Sequence, residues 1–138
     1  MKPEIEPTLV EIYRREMLSF LQYVSQSSPY AGVADRPALE RVRALACTEA
    51  TELERFADYL EQNHITLPRA GAFPISFTNY NFVAVRKLLP GLLTDEAKGL
   101  KALEHDAAAT PSGAERDWIE KLAAAKRMHL NELEKLSI

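Results

Sequence analysis

Residues 37–63, PALERVRALACTEATELERFADYLEQN, decide the fold. The stretch contains no glycine, and its one proline, Pro37, stands at the first position, where a helix tolerates it best. Asp35, two residues earlier, is placed to cap the same helix. Val42, Leu45, Phe56 and Tyr59 recur at helical three- and four-residue spacing. Glu49 and Glu52 interrupt that stripe near its middle. A single long helix is the expectation from Pro37 to about Asn63, ending before Pro68.

Helical periodicity extends outward in both directions. A first helix is expected from Glu6 or Thr8 to Ser27, stopped by the breaker Ser27-Ser28-Pro29 and the following Gly32. Residues 64–78 carry Pro68, Gly71 and Pro74 and read as irregular. A short helix from Asn79 to Leu89 is expected to end at Pro90-Gly91. A third main helix opens at Thr94-Asp95-Glu96, an acidic start that suits the helix dipole, and runs to about Ala109. Thr110-Pro111-Ser112-Gly113 is a tight break before a last helix from about Ala114 to Leu136. Nothing alternates with period two between turn signals, so strands are not expected. The first and last connections are short, while residues 64–93 form a long one. The expectation is a single all-α domain over residues 1–138: an antiparallel four-helix bundle with one long crossover between helices two and three.

Composition limits the function. The chain is 46% hydrophobic and 27% charged, a globular balance with enough apolar mass for a core. A net charge of −3 with interleaved signs gives no basic stripe for nucleic acid. No run approaches the roughly 18 apolar residues of a membrane span, and the acidic N-terminus lacks a signal-peptide core. The single cysteine, Cys47, cannot form an internal disulfide. A cytoplasmic protein is the expectation, with no nucleic-acid or membrane partner and with homodimerisation compatible with such a bundle. There is no phosphate-cradling glycine loop, nucleophile elbow or zinc spacing.

The polar interruptions of the buried stripes carry the chemistry. Helix one gives Leu9, Ile12, Glu16, Phe20 and Tyr23, and helix three gives Leu93, Glu96, Leu100, Leu103 and Ala107. Helix four gives Ile119, Leu122, Lys126, His129, Leu133 and Leu136. At ~1.5 Å per residue, Glu16 and Glu49 both lie roughly 17–18 Å from the loop joining their helices. Glu96 is level with Lys126 and His129 by the same reckoning. Six ionisable groups, Glu16, Glu49, Glu52, Glu96, Lys126 and His129, are therefore expected in one layer of the core. Unpaired, each would cost several kcal/mol to bury, so they must pair, protonate or bind an ion.

This pattern resembles the ferritin-like carboxylate proteins, among them bacterioferritin and rubrerythrin. Glu16 with Tyr23 is similar to that family's Glu-x6-Tyr, and Glu96 matches its counterpart, with Leu103 where tyrosine is common. Glu49-Ala50-Thr51-Glu52 and Lys126-Arg127-Met128-His129 occupy the two Glu-x-x-His positions. In the first, Glu52 replaces histidine; in the second, Lys126 replaces glutamate. The resemblance implies a ferritin-like bundle and a di-metal site, of which Glu16, Glu49, Glu52, Glu96 and His129 are the remaining candidate ligands. An ammonium cannot ligate. Four glutamates carry −4, and Lys126 brings the layer to −3, so it stands in for part of one metal's charge.

Two consequences stay open at the level of sequence. Lys126 replaces a metal and leaves an ion-paired, non-catalytic remnant needing no cofactor. Alternatively, one iron or manganese ion is held by Glu49, Glu96 and His129, with Glu52 contributing, in metal handling or oxidative stress. A third class, a small-molecule or lipid binder, is hinted at by Phe73, Phe77, Tyr80 and Phe82. Plainer roles compete residue by residue. Glu96 reads equally as an N-terminal helix acid, Lys126 as a snorkelling side chain and Glu52 as solvent-facing. Tyr23 and Tyr59 read as packing residues with hydrogen-bonded hydroxyls, Cys47 as a small core residue, His64 as a helix C-terminal cation, and His105 as water-facing.

Overall fold

The structure is a computed structural model that describes residues 3–27, 29–69 and 71–136. The described residues form five α-helices and no strand: α1 Glu6–Met17, α2 Phe20–Gln26, α3 Arg36–Gln62, α4 Val85–Ala109 and α5 Ala114–Glu134. Short 3-10 turns cover Val33–Asp35 and Ile75–Tyr80. The long helix expected over 37–63 is present one residue displaced. Its end is a Schellman turn: His64 N–H donates to the Glu61 carbonyl at 2.9 Å and Ile65 N–H to the Leu60 carbonyl at 3.0 Å. His64 takes the left-handed conformation, φ 62°, that this turn requires. It closes the helix through its backbone.

Two helix boundaries and the place of Cys47 are corrected. The first helix is broken at Leu18–Ser19, where Ser19 is extended (φ −65°, ψ 157°) and its hydroxyl accepts from Gln22 N–H at 3.3 Å. A serine hydroxyl that satisfies a free helical N–H competes with the continuous helix, and here it wins. Ser27 closes α2; Ser28, part of the breaker read from sequence, lies outside the described residues. The second correction concerns the short helix expected from Asn79 to Leu89. Residues 79–84 are a 3-10 turn end and non-helical chain, and from Val85 the helix runs on into the third main helix as α4, with Pro90 inside it. Pro90 forfeits one backbone bond but is exposed, and Gly91 is needed for packing: a Cβ there would sit 3.0 Å from the Phe20 ring. The longer helix also shifts register, so Leu92 is fully buried and Leu93 only half. Cys47 is exposed and is not a core residue, because Leu45, Ala46 and Glu49 define the inner face of α3.

The core falls into two apolar clusters. One gathers Ile12, Phe56, Leu60, Leu100, Leu103 and Ile119 with their neighbours. The other gathers Phe20, Val24, Val42, Leu88, Leu92 and Leu133 with theirs. Along α1–α2, α3, α4 and α5 alike, the chain passes from one cluster to the other through Glu16, Glu49, Glu96, and Lys126 with His129. Cross-helix pairs fix the register: Arg41–Glu132 at 2.9 Å, Arg15–Asp106 at 3.1 Å and Arg86–Asp35 at 3.0 Å. Backbone bonds between Tyr30 and Val83 and between Val85 and Tyr30 tie the start of α4 to the loop after α2.

Candidate functional site: a buried ion-pair layer

Five of the six predicted groups are buried in one layer: Glu16, Glu49, Glu96, Lys126 and His129 are each at most 4% exposed. Lys126 reaches in from α5. Its Nζ lies 2.5 Å from Glu16 Oε2, 3.6 Å from Glu49 Oε2 and 3.6 Å from Glu96 Oε1. The snorkelling alternative is thereby excluded. Glu96 sits near the middle of a helix that begins at Val85, so its role as an N-terminal acid is excluded too. His129 Nδ1 lies 3.5 Å from Glu49 Oε2 and Nε2 lies 3.6 Å from Glu52 Oε1, ion-pair distances rather than good hydrogen bonds. Glu52 stands at the rim, its side chain 27% exposed. It is not one of the three residues whose ligand atoms converge.

Those three are Glu49, Glu96 and His129, each offering one ligand-type atom within 4.8 Å of the others. Among the described residues, Glu49 Oε2, both Glu96 oxygens and His129 Nδ1 have no hydrogen-bond partner. Beside them a cavity of about 10 Å³ has room for little more than one water-sized sphere.

Proton affinities follow from burial set against pairing. Burial pushes Glu96 up, and the charge on Glu49 adds to this, so its pKa rises to about 8 despite Lys126. Burial would also raise Glu49, but Lys126, His129 and the Ser19 hydroxyl outweigh it and bring it down to about 2. Burial disfavours charge on His129, yet Glu49 and Glu52 prevail and raise it to about 9. Lys126 is likewise raised by its three carboxylates against burial. Glu16 is raised, because burial exceeds the pull of Lys126. At neutral pH Lys126 and His129 are thus cationic, Glu49 is a carboxylate and Glu96 is mostly protonated.

Two polar contributors were missed from sequence. Ser19 Oγ donates to Glu49 Oε1 at 3.0 Å, and Gln22 Nε2 donates to the Ala46 carbonyl at 3.0 Å and, at 3.4 Å, to the same Glu49 oxygen. Their signal was available: Ser19-x-x-Gln22 has the spacing of a capping box, which marks a helix start. Gly99 carried no such signal. A Cβ at that position would lie 3.2 Å from Lys126 Nζ and 3.3 Å from its Cδ, so the glycine makes room for the lysine. Asp95, part of the acidic start expected for the third helix, lies inside α4 and accepts from Phe20 N–H at 2.9 Å, at the start of α2. Tyr23 has the hydrogen-bonded hydroxyl expected of it, on Asn81 Oδ1, and Tyr59 packs on Trp118. His105 is exposed, as read.

Compared with models of known families, with curated proteins and with solved structures, the chain matches none of them. No helix among the described residues is long and apolar enough to cross a membrane.

Proposed function

We propose that this chain is a ferritin-like helical bundle whose metal centre has been replaced by an internal counter-ion, Lys126, and that it acts as a non-catalytic protein without a metal. The observation that carries this reading is the position of Lys126 Nζ among Glu16, Glu49 and Glu96. An ammonium held among acidic side chains from three other helices supplies positive charge of the kind a metal would bring.

The residue order of the cross-helix pairs supports one long crossover between α3 and α4. Asp35 meets Arg86 and Glu49 neighbours Glu96, so the order rises together in α3 and α4, as in parallel helices. Arg41 meets Glu132 while Phe56 packs on Trp118, so α3 and α5 run oppositely. The lone, exposed Cys47 fits a reducing, cytoplasmic setting.

The two-metal centre that the family resemblance implies does not fit these residues, since Lys126 stands where a bridging carboxylate is needed. A second reading has its own support: the unpartnered atoms of Glu49, Glu96 and His129 are a carboxylate–imidazole set suited to one iron or manganese ion. Such an ion would supply Lewis-acid or redox chemistry. To hold it, His129 must shed its proton and Lys126 must withdraw from two of the same oxygens.

Metal content after anaerobic loading with iron(II) or manganese(II), read by mass spectrometry on tag-free protein, separates the readings. The native chain is expected to retain no stoichiometric metal, and the double variant Glu52→His with Lys126→Glu to gain it. About one equivalent on the native chain, lost in His129→Ala, would establish the one-metal reading instead.

A further inference from the structure

The connection between α3 and α4 contains sixteen consecutive residues without a charge, 70–85 (AGAFPISFTNYNFVAV), in a chain that is 27% charged. Part of it packs inward. Of the four aromatics singled out in sequence, Phe73 and Phe77 meet the Tyr23 ring and Tyr80 meets Phe20. Pro74, Ser76 and Phe77 also wall a groove of about 390 Å³ with Glu16 and Lys126 at its floor. The remainder is in solvent: Ile75 is 86% exposed, Phe82 74% and Tyr80 38%. Tyr30 and Val33, 64% and 83% exposed, belong to the loop alongside. Tyr30 shares backbone bonds with Val83 and Val85, and Asp35, two residues after Val33, pairs with Arg86 at 3.0 Å. Five of the six large hydrophobic residues exposed among the described residues therefore lie on this segment or against it. The sixth, Met128, is on α5.

Phe82 is an independent sign. Tyr80–Val83 is a type II turn: Asn81 has φ −65° and ψ 132°, Phe82 has φ 59°, and Val83 N–H donates to the Tyr80 carbonyl at 3.4 Å. The third position of such a turn favours glycine or asparagine, and a bulky side chain there is strained. A strained phenylalanine that is also exposed serves the fold less well than asparagine would, which points to a role outside the fold. Together the five side chains present roughly 600 Å² to solvent, taking about 150–250 Å² for a whole aromatic. A standard interface takes about 800 Å² from each partner.

We propose that this face joins two copies of the chain in an isologous dimer, with Phe82 near the two-fold axis. Charge selects a second copy as the occupant. The segment has no group to pair with a charged surface, and the Asp35–Arg86 pair at its border is already closed, whereas a two-fold axis lays the uncharged segment on itself. The proposal is independent of the role of Lys126. Sedimentation equilibrium of the full chain is expected to show reversible monomer–dimer association with a dissociation constant in the micromolar range. Phe82→Asp should weaken it at least about tenfold, the loss expected for a central interface aromatic. Phe82→Asn suits the turn, so it should keep or raise the urea midpoint while weakening association by a similar factor. Met128→Asp should leave the association unchanged. A monomer at every concentration up to about 1 mM, association indifferent to both Phe82 variants, or an equal loss in Met128→Asp would overturn the proposal.

Discussion

Lys126 brings a charge into a layer from which water is nearly excluded, and what it meets there determines how stability depends on pH. Glu96 binds a proton in the folded state with a pKa of about 8 against 4.5 for the free group. Its contribution to stability is fully present below 4.5 and is lost as pH rises through about 8. His129 acts in the same direction, with a contribution present below 6.5 and lost as pH rises through about 9. Glu49 opposes them only in acid, where stability is lost as pH falls from 4.5 through about 2. Urea denaturation midpoints are therefore expected to fall between about pH 5 and about pH 9. Glu96→Gln, which cannot ionise, should flatten that decline. A midpoint that rises over this range, or a decline equally steep in Glu96→Gln, would contradict the account of the layer. The residue types and their heights were legible in sequence because helical spacing fixes them. Which glutamate stays protonated was not, since it depends on distances of 2.5–3.6 Å between side chains on four helices.

At the level of elements, the break between α1 and α2 is part of the site. Ser19 serves twice, accepting from Gln22 N–H at the head of α2 and donating to Glu49. Ser19→Ala removes a cap worth about 1 kcal/mol and a charge-assisted hydrogen bond worth about 1.5–3 kcal/mol. The variant is expected to lose at least about 2 kcal/mol of unfolding free energy in urea. A loss no larger than that of an exposed serine such as Ser25 would show that the hydroxyl does not hold Glu49. Sequence reading joined these helices because Leu9, Ile12, Glu16, Phe20 and Tyr23 keep one stripe across the break. It split α4 because Pro90-Gly91 has the composition of a stop, whereas Gly91 is there for the Phe20 ring. Packing overrode local punctuation at Pro90-Gly91, whereas at Ser19 the local cap prevailed over the continuous stripe. The stripes in these two places were read correctly apart from Leu92 in place of Leu93 and a half-buried Tyr23.

For the whole molecule, two apolar clusters supply the hydrophobic core and a polar layer lies between them. Such a layer adds little net stability, because desolvation consumes most of what pairing returns. Its pairing is the informative feature: positive groups from α5 meet acids from α1, α3 and α4. That could be anticipated from Lys126 and the four glutamates, since a lysine cannot ligate. The groove leading to Lys126 could not, because its walls come from α1, α4 and residues 74–80, segments far apart in sequence. Whether Lys126 holds the place of a metal can be read from a crystal structure of protein grown with manganese(II), using anomalous scattering to find the ion. Lys126 Nζ is expected in salt-bridge contact with Glu16, Glu49 and Glu96, with no anomalous peak in the layer. A manganese peak at coordination distance from Glu49, Glu96 and His129, with Lys126 turned out toward the groove, would contradict it.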